Sequence, residues 1–237
     1  MALPHHLTRV AVLASGGGSN LQALLDYLDA RGESRRADVA LVVSNRRDAG
    51  ALARAERRAI PTATVSGRAA DADEMDALLE THRIDLVVLA GYLRLVPPAL
   101  TRRLRGRILN VHPALLPAFG GPGMYGERVH EAVLERGARI TGPTVHFVDE
   151  QYDHGAIIAQ WPVPVFEEDT AQTLAARVLR AEHALYPRVV DAVAAEEIAL
   201  DDDGSVRGAF LVGQAGEAFA LAPPDVLVSE IDSALGR

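Results

Sequence analysis

The chain has 237 residues, 49% hydrophobic and 24% charged, a globular composition long enough to bury a proper core. It has no cysteine, which excludes thiolate nucleophiles, disulfide scaffolds and Cys-ligated zinc or iron–sulfur centres. It also has no lysine, so Schiff-base chemistry and a Walker-type phosphate lysine are excluded, and the net charge of -8 argues against a general nucleic-acid binder. The opening residues Met1-Ala2-Leu3-Pro4-His5-His6 lack a charged region followed by a sustained apolar stretch, so the expectation is a cytoplasmic protein without a membrane span.

Apolar β-like runs alternate with helix-like stretches through the first half, the pattern of a mostly parallel central sheet flanked by helices. Strands are predicted at residues 9–14, 38–44, 62–65, 85–90 and 107–112, with helices at 20–30, 49–58, 71–82 and 97–104 between them. A Gly/Pro-rich loop at 117–126 leads to a helix at 127–136, strands at 144–149 and 156–165, and a long helix at 170–194. The tail reads as short antiparallel strands at 197–200, 206–212 and 218–221, joined by turns at 202–204 and 214–216. The expected organisation is one domain over 1–195 and a short β-rich extension over 196–237 packed on it.

The first strand runs into Ser15-Gly16-Gly17-Gly18-Ser19-Asn20 and then a helix, so glycines and free amides face any anion placed there. Either a monophosphate site or a flexible turn fits. A dinucleotide fingerprint does not, because the next strand ends in Ser44-Asn45 rather than a carboxylate. At 107–112 Asn110 and His112 sit two apart near a strand end, so they project together and pair an amide donor with an ionisable imidazole. Acyl transfer to an amine needs those two functions, one for an oxyanion and one for a proton. A polar strand end without chemistry fits the same residues. The segment from His146 to Gly155 adds further histidine and carboxylates at spacings that match neither a zinc helix motif nor a calcium loop, so metal binding is the weaker reading. A carboxylate from this segment beside His112 would raise its pKa, and spacing does not decide which acid does so.

Ser15-Gly16-Gly17-Gly18-Ser19-Asn20-Leu21-Gln22, Leu89-Ala90-Gly91-Tyr92-Leu93-Arg94, Asn110-Val111-His112-Pro113-Ala114-Leu115-Leu116-Pro117 and Thr144-Val145-His146-Phe147-Val148-Asp149-Glu150 occur in an order and spacing that resembles phosphoribosylglycinamide formyltransferase. Asp153-His154-Gly155 and Glu182-His183-Ala184-Leu185-Tyr186-Pro187 continue the match, which covers about residues 8–192. The resemblance implies a Rossmann-like α/β fold and transfer of the formyl group of 10-formyltetrahydrofolate to the amine of 5-phosphoribosylglycinamide in purine biosynthesis, without a metal. It implies catalytic roles for Asn110, His112 and Asp153, a ribotide-phosphate loop at Gly18, Ser19 and Asn20, and a ribose contact from Glu182. It assigns the folate pocket to Leu93, Arg94, Leu95 and Val96 together with Asn110, and to Arg68. The sequence around Arg68 departs from the family pattern, as does Gly155-Ala156 where many members carry Gly-Pro.

On that reading Asn110 and a protonated His112 donate to the formyl oxygen, and Asp153 raises the histidine's pKa. The partners implied are small molecules, with no nucleic acid and no membrane, and the wider family includes homodimers. Formyltetrahydrofolate hydrolase resembles the same core but usually adds an N-terminal regulatory domain, for which there is no room before Arg9. Methionyl-tRNA formyltransferase fits poorly with the acidic charge. A phosphometabolite sensor that keeps the fold without the chemistry is set against the joint presence of Asn110, His112 and Asp153.

Overall fold

The computed structural model describes residues 7–66, 72–208, 212–213 and 217–218. Its centre is a seven-stranded sheet in the order β3-β2-β1-β4-β5-β7-β8. The strands are β1 (Thr8–Leu13), β2 (Ala37–Ser44), β3 (Thr62–Thr64), β4 (Leu86–Leu89), β5 (Ile108–His112), β7 (Thr144–Phe147) and β8 (Ile157–Gln160). The first five pair in parallel, whereas β7 and β8 run antiparallel to their neighbours. Helices α1 (Ser19–Arg31), α2 (Gly50–Arg57), α3 (Ala72–Thr81), α4 (Pro98–Arg103), α5 (Glu127–Glu135) and α6 (Ala171–Ala194) cover it.

Successive side chains of a strand point to opposite faces, and the core divides accordingly. Val10 and Val12 pack with Leu21, Leu24, Leu185 and Val189, which belong to α1 and α6. Ala11 and Leu13 pack with Met75, Leu79 and Leu100, which belong to α3 and α4. With both faces covered, the strands read as continuous apolar runs instead of alternating ones. A smaller cluster joins Val133 of α5, Leu174 and Val178 of α6, and Val163.

Two features differ from the sequence expectation. The strand predicted at 156–165 is two strands, β8 and β9 (Val163–Pro164), interrupted at Trp161-Pro162. β9 leaves the main sheet to pair with β6 (Ile140–Thr141), an element too short to have been predicted. Proline cannot donate to a ladder, so Pro162 and Pro164 suit the edge of a two-stranded pair better than the interior of a sheet. In the tail, β10 (Ile198–Leu200) and β11 (Val206–Gly208) form an antiparallel pair. Ile198 enters the main core, and Leu200 and Val206 pack against it. Val212–Gly213 pairs with Glu217–Ala218, while the predicted turn at 214–216 and residues 219–221 lie outside the described residues. Among the described residues no helix is long and apolar enough to cross a membrane.

Candidate active site

In open α/β sheets ligands collect beyond the carboxyl ends of the parallel strands. A cavity of about 720 Å³ lies there, lined by Asn20 from the first turn of α1, Leu93, Arg94, Leu95 and Val96 after β4, Asn110 and His112 of β5, Asp153, and Glu182 of α6. Nine predicted site residues therefore face one space. Gly18 and Ser19 form the turn into α1 but do not line the cavity, and Arg68 lies outside the described residues. Gly18 has φ +75°, and a Cβ on it would sit 2.7 Å from the Ala51 Cα, so the tight turn into α1 requires glycine.

The antiparallel entry of β7 sets Asn110 opposite His146 and His112 opposite Thr144. The Asn110 amide Nδ2 lies 3.1 Å from His146 Nε2 and 3.4 Å from Asp153 Oδ1. Nδ1 of His146 sits 2.8 Å from the Phe147 carbonyl oxygen, which can only accept, so Nδ1 carries the hydrogen and Nε2 takes the Asn110 amide. Burial pushes the His146 pKa down and keeps that tautomer neutral. His146 thus orients Asn110. It stood among the polar candidates of the sequence, but only the strand pairing gives it this place.

Asp153 resolves which acid meets His112. Its Oδ2 lies 3.4 Å from His112 Nδ1 and accepts the Gly121 backbone N–H at 2.9 Å. Asp149 instead pairs with His154 at 2.6 Å, and Glu150 with Arg102 at 3.0 Å, both at the surface. Asp153 adopts φ 54°, a left-handed conformation costly for a residue with a side chain. The returning chain is held close to β7: a Cβ on Gly155 would lie 1.9 Å from the Phe147 carbonyl oxygen. Ala156 bonds to Phe147 through its own carbonyl, a group that proline also has, so the Gly-Ala departure leaves this contact intact.

His112 is 3% exposed, and its Nε2 donates to the Phe119 carbonyl at 2.8 Å. Burial lowers its pKa below the ordinary value, and the opposing pull of Asp153 and of the Phe119 carbonyl does not overcome it. The sequence expectation of a pKa raised by Asp153 is corrected here: Asp153 acts in that direction, but desolvation of the imidazolium is the larger effect. His130 of α5 also lines the cavity and titrates near 4, lowered by burial and by His112. On the far wall Asn20 Nδ2 donates to Glu182 Oε2 at 2.6 Å, and burial raises the Glu182 carboxyl to about 7 despite that bond. One turn later the Tyr186 hydroxyl reaches the carbonyls of Leu89 and Leu109, at 3.0 and 3.1 Å, which tie α6 to β4 and β5.

Residues 8–190 match the family model described as formyl transferase. The chain belongs to the formyl transferase family. Among its relatives, phosphoribosylglycinamide formyltransferase, chloroplastic, of Arabidopsis thaliana is 45% identical over 202 residues, which is 83% of this formyl transferase and 68% of the relative. The crystal structure of phosphoribosylglycinamide formyltransferase from Anaplasma phagocytophilum superposes with a TM-score of 0.77 at 38% identity, covering 89% of this chain and 97% of the other. A formyltetrahydrofolate deformylase from Pseudomonas syringae has a similar TM-score, 0.76, at 26% identity, but the match covers 66% of that chain. This formyl transferase therefore shares its fold with enzymes of two outcomes, and its sequence stands nearer the transferases.

Proposed function

We propose that the chain transfers the formyl group of 10-formyltetrahydrofolate to the primary amine of 5-phosphoribosylglycinamide. The observation that carries this reading is the gathering of Asn110, His112 and Asp153 in the same cavity as Asn20 and Glu182. The cavity's size and its wall of Leu93, Leu95, Val96 and Val148 suit a flat, largely apolar ring, and Glu182 with Asn20 offers hydroxyl-binding groups for a sugar.

The amine attacks the formyl carbon, charge grows on the formyl oxygen, and the bond to the folate nitrogen breaks. One proton leaves the amine and one reaches the folate nitrogen, so the site relays a proton without consuming one. The donors available to the oxygen are the His112 Nε2–H, now on the Phe119 carbonyl, and the Asn110 amide hydrogen of the long 3.4 Å contact with Asp153. His146 keeps the other Asn110 hydrogen and so holds the amide in place. Donors of this kind contribute about 3 kcal/mol each to the transition state. Because burial favours neutral His112 at rest, the proton enters the pair from the amine, and Asp153 stabilises the imidazolium that forms. We assign the phosphate to the backbone of Gly18, Ser19 and Asn20, and the folate ring to the 93–96 stretch with Arg68. The reaction involves soluble metabolites, and we place it in the cytoplasm, which cell fractionation tests; sedimentation tests whether this chain forms the homodimer known in the wider family. We likewise keep 196–237 as an extension of the 1–195 domain.

The experiment is incubation of the chain with 10-formyltetrahydrofolate, with and without the ribotide, following folate deformylation and formylated ribotide together. Ribotide-dependent product is expected. Formate release without ribotide would assign the chain to the deformylases instead.

A further inference from the structure

Ser15 follows β1 and is 3% exposed. Its hydroxyl donates to Asn45 Oδ1 at 2.6 Å and accepts the Leu93 backbone N–H at 2.9 Å, while its own N–H donates to the Gly91 carbonyl at 3.1 Å. Asn45 follows β2, and Gly91 and Leu93 follow β4. One serine therefore connects the carboxyl ends of three adjacent parallel strands. The bond to Asn45 fixes the hydroxyl's rotation, which aims a lone pair at Leu93. Leu93 opens the 93–96 stretch that lines the cavity and is 50% exposed, so its own side chain does not anchor it; the stretch is held by this backbone contact at Leu93 together with the core packing of Tyr92 before it and Val96 at its end. The glycine loop beside it has separate anchors: Ala51 N–H bonds to the Gly16 carbonyl at 3.1 Å and Arg54 Nε to the Gly17 carbonyl at 2.8 Å.

We propose that Ser15 is a positioning residue for the formyl-donor side of the cavity, acting through the Leu93 backbone and directed by Asn45. The inference rests on the reading that the 93–96 stretch takes the folate ring. Loss of one neutral hydrogen bond to a buried hydroxyl corresponds to a fall of about three- to tenfold in donor affinity. Asn45→Ala, which leaves the hydroxyl in place but undirected, gives a smaller loss in the same direction.

The test is calorimetric titration of the full chain and of Ser15→Ala with 5-formyltetrahydrofolate, a non-transferring isomer of the donor, and separately with the ribotide. Hydrogen exchange of the peptide containing Leu93 is measured in both proteins without ligand. The expected result is donor binding weakened about three- to tenfold in the variant, ribotide binding within about twofold of wild type, and faster exchange at Leu93. Unchanged donor binding overturns the proposal, and so does an equal loss for both ligands, which would mark a general structural defect. If the wild-type chain binds no formyl folate, the reading of the cavity fails. Exchange then judges the latch alone: unchanged protection at Leu93 overturns it, and faster exchange upholds the loop positioning.

Discussion

Glu182→Gln should stabilise the protein at neutral and higher pH while weakening the ribotide. The carboxyl titrates near 7 in the fold against an ordinary 4.5, so ionising it in place costs about 3 kcal/mol. Between those values the unfolded chain has released the proton and the native one still holds it. Stability from this group is complete below pH 4.5 and is lost as pH rises through 7. Glutamine keeps an oxygen for Asn20 Nδ2 and has nothing to ionise. The difference in unfolding free energy, variant minus wild type, should grow by up to about 3 kcal/mol between pH 5 and pH 8. For a chain of this length that is about 6–12 °C in midpoint temperature. His130 slopes the other way, since a histidine titrating near 4 destabilises the fold as pH falls below its ordinary 6.5, but it is common to both proteins and cancels in the difference. Denaturant unfolding of both proteins across that range measures it, with ribotide KM recorded alongside. A flat difference curve would refute the reasoning, because it would mean that the carboxylate is solvated through the cavity.

Asn110→Ala and His112→Ala should each lower kcat by about 10²–10³ with little change in either KM, which steady-state kinetics checks. Wild-type turnover in both variants would remove them from the chemistry. Asp153→Asn should lose most activity and move the acid limb of its pH–rate profile to lower pH, since the charge that supports the His112 imidazolium is gone. A residual profile superimposable on wild type contradicts that role. Tyr186→Phe should cost about 1–3 kcal/mol in denaturant unfolding, because two buried carbonyls lose their shared donor.

The parallel half of the sheet was legible because strands buried on both faces are continuous apolar runs separated by helical stretches. Asn110 and His112 were legible by alternation along one strand. The choice of Asp153 over Asp149 was not visible in spacing, because it depends on a left-handed turn at Asp153 itself and on the close return at Gly155. His146 needed the antiparallel register opposite Asn110, a long-range pairing that local pattern does not encode. The lowered pKa of His112 escaped for a related reason: a neighbouring charge can be inferred from a motif, whereas the depth of burial that outweighs it belongs to the folded packing. Pro162 was a readable signal for the break between β8 and β9, and the strand predicted across it took no account of the missing donor.

The double grip of Tyr186 on β4 and β5 makes α6 a gauge. Glu182 stands four residues before the tyrosine, on the same face of the helix. A slip of α6 by one residue would move the carboxylate by about 1.5 Å and turn it by about 100°, and the same slip would tear the hydroxyl from both carbonyls. The acid's position is thus referenced to the sheet that carries Asn110 and not to the outer turns of its own helix. Those turns, begun by Thr170 and Thr173 in a reciprocal cap, are held on their own by Leu174 and Val178 against Val133 and Val163, and they carry Gln172, Ala175 and Leu179 along the cavity wall.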